Sequence, residues 1–72
     1  MQKWEYLYDD CEADRGLRPK YINHQEQRNW KNGPFLAEYI NRLGAEGWEL
    51  VSFVRVANIL NLELIFKRQK SE

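Results

Sequence analysis

A single segment of this chain has the spacing of an amphipathic helix, and this feature most limits the fold that the chain can adopt. Within residues 34–46, Leu36, Ile40 and Leu43 recur at helical intervals and form one apolar stripe. The segments before and after this helix have the patterns of strands. Since one helix can cover only one face of a sheet, the other face has to be covered in another way or stay exposed.

The two ends of the predicted helix carry clear signals. Pro34 suits the first helical position, where its missing N–H costs no hydrogen bond. Gly47 is typical of a helix end. Gly44 lies one turn beyond the apolar stripe, and we expect Gly44 and Gly47 to let the helix backbone approach the sheet closely.

Three segments, and a shorter fourth, are typical of β-strands. Aromatic residues alternate with others over residues 3–9, and residues 60–67 place their leucines on one face. Residues 48–56 have apolar side chains on both faces, which predicts the central strand. Residues 18–23 form the shorter strand, and Pro19, which lacks an N–H, predicts that it lies at an edge.

These elements together predict the fold and its boundaries. We expect an α+β fold in the order β-(β)-α-β-β, with a three- to four-stranded antiparallel sheet and one α-helix on one face. Residues 1–68 would form a single small domain, and residues 69–72 a solvated C-terminal tail. Residues 23–31 are polar and lack a period, so they are expected to form a loop.

Charge and cysteine content exclude several classes of protein. Eleven Lys and Arg balance eleven Asp and Glu, and a net charge of zero lacks the basic field of a general nucleic-acid binder. We therefore do not expect a nucleic-acid partner. No apolar run is long enough for a signal peptide or a membrane span, so we expect no membrane association. The single Cys11 fits a reducing compartment, which predicts a cytoplasmic protein.

Three strings in the sequence have a distinctive composition. They are Lys3-Trp4-Glu5-Tyr6, Leu43-Gly44-Ala45-Glu46-Gly47-Trp48-Glu49-Leu50-Val51 and Ile65-Phe66-Lys67-Arg68. In these strings the chain resembles the domain of unknown function 4177 family, which consists of short bacterial and phage proteins. The resemblance implies one strand, a helix packed by the Gly-Trp turn and a closing hairpin, with no established activity or catalytic residues. Residues 11–31 are longer than in the shortest members, so a specific role is expected there or on the uncovered sheet face.

Neither a metal site nor a catalytic site is well supported by the residue types present. Asp10, Glu12 and Asp14 alternate like the first ligands of a calcium loop, but the required glycine and bidentate glutamate are missing further on. Cys11 and His24 supply only two of the four ligands that zinc needs, and they are also the only plausible nucleophile and base. We therefore predict no metal, no cofactor and no enzymatic activity.

A basic segment offers a candidate binding site for a small anion. Five cations and one Glu give residues 15–31 a local charge of +4, with two aromatic side chains among them. An anionic nucleotide-type ligand would use Arg15, Arg18, Lys20, Tyr21, Arg28 and Trp30. Alternatively, these cations pair with the acidic residues of 1–14 across the first hairpin.

The sheet face that the helix leaves uncovered gives the main functional prediction. An exposed apolar face is uncommon on a soluble monomer and usually marks an interface. We therefore predict a non-catalytic interaction domain that forms a homo-oligomer through the apolar face or the sheet edges. Its expected contacts are Trp4, Tyr6, Tyr8, Phe53 and Ile59. In the alternative, the loop at residues 23–31 folds back with Trp30 and covers that face in a monomer.

Overall fold

The described part of the chain forms one antiparallel sheet and one short α-helix. The structure is a computed structural model, and it describes residues 2–55 and 61–70. Its elements are β1 (Trp4–Ala13), β2 (Leu17–Ile22), β3 (Gln25–Glu26), a 3₁₀ turn (Trp30–Asn32), α1 (Leu36–Ala45), β4 (Glu49–Arg55) and β5 (Asn61–Gln69). Within these residues, no helix is long and apolar enough to cross a membrane.

The sheet has five strands in the order β3-β2-β1-β5-β4, so the predicted number of three to four is wrong. The extra strand is β3, which has only two residues and pairs with Tyr21 and Ile22 of β2. Two polar residues after a tight turn have no hydrophobic pattern from which a strand could be predicted.

The two terminal segments form the middle of the sheet. β1 and β5 pair along their length, from Trp4 opposite Gln69 to Glu12 opposite Asn61. Beyond the last strand residue, the Lys70 N–H donates a hydrogen bond of 2.8 Å to the carbonyl of Lys3. β5 ends at Gln69, so the strand includes the first residue of segment 69–72, which was expected to be a tail.

The prediction that the strand after the helix is central is wrong. β4 lies at the outer edge of the sheet and pairs only with β5 among the described strands. Apolar side chains on both faces are typical of a buried central strand, but the same pattern occurs in an edge strand whose partner lies outside the chain.

β2 shows how the sheet accommodates a proline. Pro19 is buried opposite Cys11, where the register of β1 and β2 shifts. The two-residue β3 pairs only with Tyr21 and Ile22, so no strand requires an N–H from Pro19 on that side. β2 is second from the edge of the sheet, but its first half has no neighbouring strand on the β3 side.

The helix packs through Tyr39 and Leu43, which are both buried. The expected role of Gly44 and Gly47 is wrong, because a Cβ atom at either position would have nothing within 4 Å. Gly47 instead has a φ of 91°, a left-handed conformation that glycine adopts most readily and that ends the helix.

The core lies between α1 and one face of β1 and β5. Its most deeply buried members are Phe66 and Leu64, each 1% exposed, together with Cys11, which is fully buried. Leu62 is also buried, so the leucines predicted to share one face of the last strand do so. Leu60 lies outside the described residues.

Candidate functional site

β4 carries four of the seven exposed large hydrophobic side chains found in residues 2–55 and 61–70. All seven residues of this strand are exposed. Leu50, Val51, Phe53 and Val54 keep 39%, 50%, 64% and 54% of their surface accessible. The helix packs on core residues of β1 and β5 and makes its main backbone contacts with β2, and all of β4 stays exposed. β4 therefore presents two faces and an outer edge.

A β-bulge determines which face of the sheet each β4 side chain occupies. The register with β5 shifts between Leu50 and Ser52, so that Val51 is the extra residue. Opposite residues of an antiparallel pair share a face. Leu50 and Phe53 lie opposite Phe66 and Leu64 and so share the helix-side face, rather than alternating as the sequence pattern indicated.

The face away from the helix, here called the open face, carries the aromatic residues of β1. Tyr6 is 62% exposed and Trp4 is 41% exposed. The Lys67 ammonium lies 4.6 Å from the centre of the Trp4 ring. Tyr8 is half-buried and stacks on His24, with 5.1 Å between ring centres. The protein's own side chains thus cover part of the open face.

The residues predicted to form an interface are distributed over both sheet faces. Trp4, Tyr6 and Tyr8 lie on the open face, whereas Phe53 lies on the helix-side face of β4. Ile59 lies outside the described residues.

The loop at residues 23–31 packs at the β2 edge. Trp30 lies beside Lys20 of β2 and lines a cleft together with Pro19 and Tyr39 from the helix side. The loop therefore closes the β2 edge of the core, and both Tyr6 and β4 stay exposed.

Arg18, predicted to bind a ligand, is engaged within the fold. Its guanidinium donates hydrogen bonds to the carbonyls of Asp14 and Gly33. It also lies 3.9 Å from the centre of the Phe35 ring. Arg18 therefore ties the first hairpin to the segment before the helix. Arg15 is exposed at the hairpin turn, with a φ of 57°.

Lys20 is likewise engaged. Its ammonium lies 3.0 Å from the Glu12 carboxylate, and this hydrogen bond raises the pKa of Lys20. The alternative prediction, that cations pair with acidic residues across the first hairpin, is correct for this pair. Tyr21 is half-buried, with the Lys20 ammonium 5.5 Å from its ring centre.

Arg28 and Trp30 do come together, in a cleft of about 220 Å³ between β2 and the start of α1. Pro19, Tyr39 and Arg42 also line it. Arg42 was not among the predicted ligand-binding residues, since its spacing of four residues from Glu38 is typical of a surface ion pair on a helix. That pair exists, with 3.5 Å between Arg42 Nη2 and Glu38 Oε1.

A carboxyl group lies inside the core. Asp9 is fully buried, and the Tyr39 hydroxyl donates a 2.7 Å hydrogen bond to its Oδ2. Its Oδ1 has no hydrogen-bond partner among the described residues. Burial raises the pKa of Asp9 to about 6 even though the Tyr39 hydrogen bond opposes this change. Burial likewise raises the pKa of the neighbouring Cys11 thiol to about 12, so the thiol is a poor nucleophile.

The residues considered for metal binding or catalysis are separated. Cys11 faces the core, whereas His24 stacks on Tyr8 at the open face. Glu12 pairs with Lys20. In residues 2–55 and 61–70, no three His, Cys, Asp or Glu side chains are grouped as metal ligands.

The three strings that resemble a known family contact one another through Arg68. Arg68 donates a 3.1 Å hydrogen bond to the carbonyl of Glu46 and pairs with Glu5 at 2.5 Å. Its guanidinium lies 4.3 Å from the centre of the Trp48 ring. One arginine thus connects the first strand, the Gly-Trp turn and the last strand.

Comparison with known proteins supports the resemblance noted in the sequence. Neither the curated proteins nor the solved structures contained a match. The family model described as domain of unknown function (DUF4177) matches residues 4–69, which include the second and third strings and all of the first except Lys3. The chain therefore belongs to this family.

Proposed function

We propose that this protein is a non-catalytic assembly domain that associates with a second copy of itself through β4. The main supporting observation is that every residue of this edge strand is exposed, including four bulky apolar side chains. An exposed edge strand offers unpaired N–H and C=O groups to another chain, and natural proteins normally protect such edges. On β4, charge is confined to the two ends, Glu49 and Arg55.

The charges at the ends of β4 support a second copy as the partner. When two identical strands approach antiparallel, the Glu49 end of each lies beside the Arg55 end of the other. The apolar residues between these ends then face their counterparts. A parallel approach would instead place like charges together, so charge favours a two-fold symmetric pair.

The bulge at Val51 limits how the two strands can pair. Bulges twist an edge and interrupt a regular ladder of hydrogen bonds. In the register that places Glu49 beside Arg55, the bulges of both copies lie within the paired region, so we expect few regular main-chain hydrogen bonds between the two strands. Contacts among apolar side chains, led by Phe53, provide most of the association free energy.

The size of the protein also favours association. A chain of 72 residues buries a small core, and domains of this size often gain stability from a disulfide, a metal or a partner. Cys11 is a free and buried thiol, so it forms no disulfide. Burial of β4 against a second copy would supply the additional apolar contact.

The proposal includes the absence of catalysis and a cytoplasmic location in a bacterial or phage system. The only cysteine and the only histidine lie on opposite faces of the sheet, which argues against a catalytic pair. A free thiol in the core is compatible with a reducing compartment.

Light scattering over a concentration series at low and high salt tests the proposal. We expect a defined oligomer that persists at high salt, because apolar contacts are not screened. Phe53→Asp is expected to yield a monomer that keeps its circular dichroism spectrum. Tyr6→Asp is the matched control, since Tyr6 is 62% exposed against 64% for Phe53 but lies on the open face.

Two results would contradict β4 as the interface. A wild-type monomer at every concentration would exclude self-association altogether. An oligomer that Tyr6→Asp disrupts and Phe53→Asp preserves would move the interface to the open face.

A further inference from the structure

The cleft between β2 and α1 lies far from β4 in the sheet order. It is lined by Pro19 and Ile22 of β2, by Tyr39 and Arg42 of α1, and by Trp30 from the segment that connects these two elements. β2 and β4 are separated by the two central strands. A second copy bound along β4 would therefore leave this cleft open.

The walls of the cleft suit a flat ring. Pro19 is buried and Trp30 and Ile22 are half-buried, so they present apolar surface to the cleft rather than polar groups. The volume of about 220 Å³ is smaller than the several hundred Å³ of a typical ligand pocket. One ring can enter, while any further groups of the ligand stay at the mouth.

The mouth of the cleft is positively charged. Arg28 and Arg42 both line it, and none of the described residues that line it is acidic. Arg42 is paired with Glu38 at 3.5 Å, but both side chains are more than half exposed, so this ion pair is weak and easily exchanged. Guanidinium groups bind phosphate or carboxylate through paired hydrogen bonds.

The segment that carries Trp30 is held in place by backbone hydrogen bonds. Asn29 has a φ of 59°, and its carbonyl accepts a 2.9 Å hydrogen bond from the Asn32 N–H. The Trp30 carbonyl accepts a 3.0 Å hydrogen bond from the Gly33 N–H. These hydrogen bonds fix the backbone at Trp30 without a ligand, which reduces the entropy cost of ordering this segment on binding.

We infer that this cleft binds a small anion that carries a flat ring, of the class of a nucleoside monophosphate. The ring packs between Trp30 and the apolar wall, and the anionic group binds Arg28 and Arg42. Arg18 and Lys20 take no direct part, because the fold already uses their charges.

Binding of adenosine 5′-monophosphate to the ¹⁵N-labelled protein tests this inference. The three tryptophans give separate indole N–H signals in an NMR titration. We expect the Trp30 signal to shift while those of Trp4 and Trp48 stay in place. Adenosine without phosphate and inorganic phosphate without a ring should each bind at least fivefold more weakly.

Charge-removing variants locate the site. Arg28→Gln and Arg42→Gln should each weaken binding of the monophosphate at least fivefold, and binding should weaken as salt concentration rises. Arg15→Gln is the matched control, because it removes an exposed arginine at the hairpin turn that neither lines the cleft nor belongs to β4. It should leave the affinity unchanged.

Three results would overturn the inference. They are an unmoved Trp30 signal at millimolar monophosphate, equal binding of inorganic phosphate and the monophosphate, and an equal loss of affinity in Arg15→Gln. The last would indicate attraction to charge in general. None of these results bears on assembly through β4, which the scattering experiment tests separately.

Discussion

The Tyr39 hydroxyl donates a hydrogen bond of 2.7 Å to Oδ2 of Asp9 and so joins the helix to the middle of the sheet inside the core. Asp9 is fully buried, and its other oxygen has no partner among the described residues. A buried carboxylate supported on one side only is costly to ionise, which is why its pKa rises to about 6.

This buried carboxyl predicts a pH dependence of stability. Between about pH 4 and pH 6 the folded protein keeps a proton on Asp9 that the unfolded chain has lost, so stability falls as pH rises through this window. The loss is complete above pH 6 and is on the order of 3 kcal/mol. The free energy of unfolding of wild type minus that of Asp9→Asn, measured by urea denaturation from pH 3 to 8, should show this fall.

A second variant tests the cause of the pH dependence. Tyr39→Phe removes the hydrogen bond that lowers the folded-state pKa of Asp9, so the upper end of the window should move to higher pH while the lower end stays near pH 4. If the difference between wild type and Asp9→Asn were constant over this pH range, Asp9 would not titrate as its burial indicates.

Two phenylalanines show the difference between a core residue and a residue of the proposed interface. Phe66 is 1% exposed and Phe53 is 64% exposed, although they lie on the same face of adjacent strands. Phe66→Ala should lower the free energy of unfolding by about 3–5 kcal/mol at any protein concentration. Phe53→Ala should have little effect in dilute protein and should reduce stability only at concentrations where wild type associates.

Thermal denaturation at several protein concentrations measures both effects. A large, concentration-independent loss of stability in Phe53→Ala would show that this side chain is packed within its own chain. It would therefore count against β4 as a docking strand.

Strict alternation made some parts of the structure predictable from sequence. The leucines of β5 share the buried face because no bulge interrupts this strand. The apolar stripe of α1 predicted the helix face that packs against the sheet. β4 was misplaced because the sequence pattern of a buried central strand equals that of an exposed apolar edge. The bulge at Val51 left no signal, since no glycine or proline marks it.

The candidate sites were harder to predict for a related reason. Arg18, Lys20 and Arg28 have the same chemistry in the sequence, yet Arg18 and Lys20 are engaged within the fold and Arg28 lines a cleft. Arg42 joins that cleft from a helix far along the chain. The pairing of Lys20 across the first hairpin was one of the alternatives that the sequence offered. The contacts of Arg18 with Gly33 and Phe35 join separate elements, and no local sequence pattern indicates them.

The two glycines near the helix end predict opposite effects of the same substitution. Gly44 is helical, exposed and clear of other atoms, so Gly44→Ala should raise the free energy of unfolding by about 0.5–1 kcal/mol. Gly47 has a φ of 91°, so Gly47→Ala should lower it by about 1 kcal/mol or more. Urea denaturation of both variants beside wild type measures the two changes, and a stabilising Gly47→Ala would show that the turn does not need this conformation.

Charge reversal at the ends of β4 tests the orientation of the proposed pair. In an antiparallel arrangement, Glu49→Lys places the introduced lysine beside Arg55 of the second copy, and Arg55→Glu places two glutamates together. Each single variant should weaken association several-fold at low salt, and less at high salt. The double variant restores opposite charges and should restore the association constant measured by sedimentation equilibrium.

A matched control distinguishes this contact from an effect of net charge. Glu38→Lys changes the net charge by the same amount as Glu49→Lys, but Glu38 lies on the exposed side of the helix, where it pairs with Arg42. We expect Glu38→Lys to associate like wild type. A double variant no stronger than either single variant would contradict the antiparallel arrangement, because in a parallel pair Glu49 lies beside Glu49 and Arg55 never meets it.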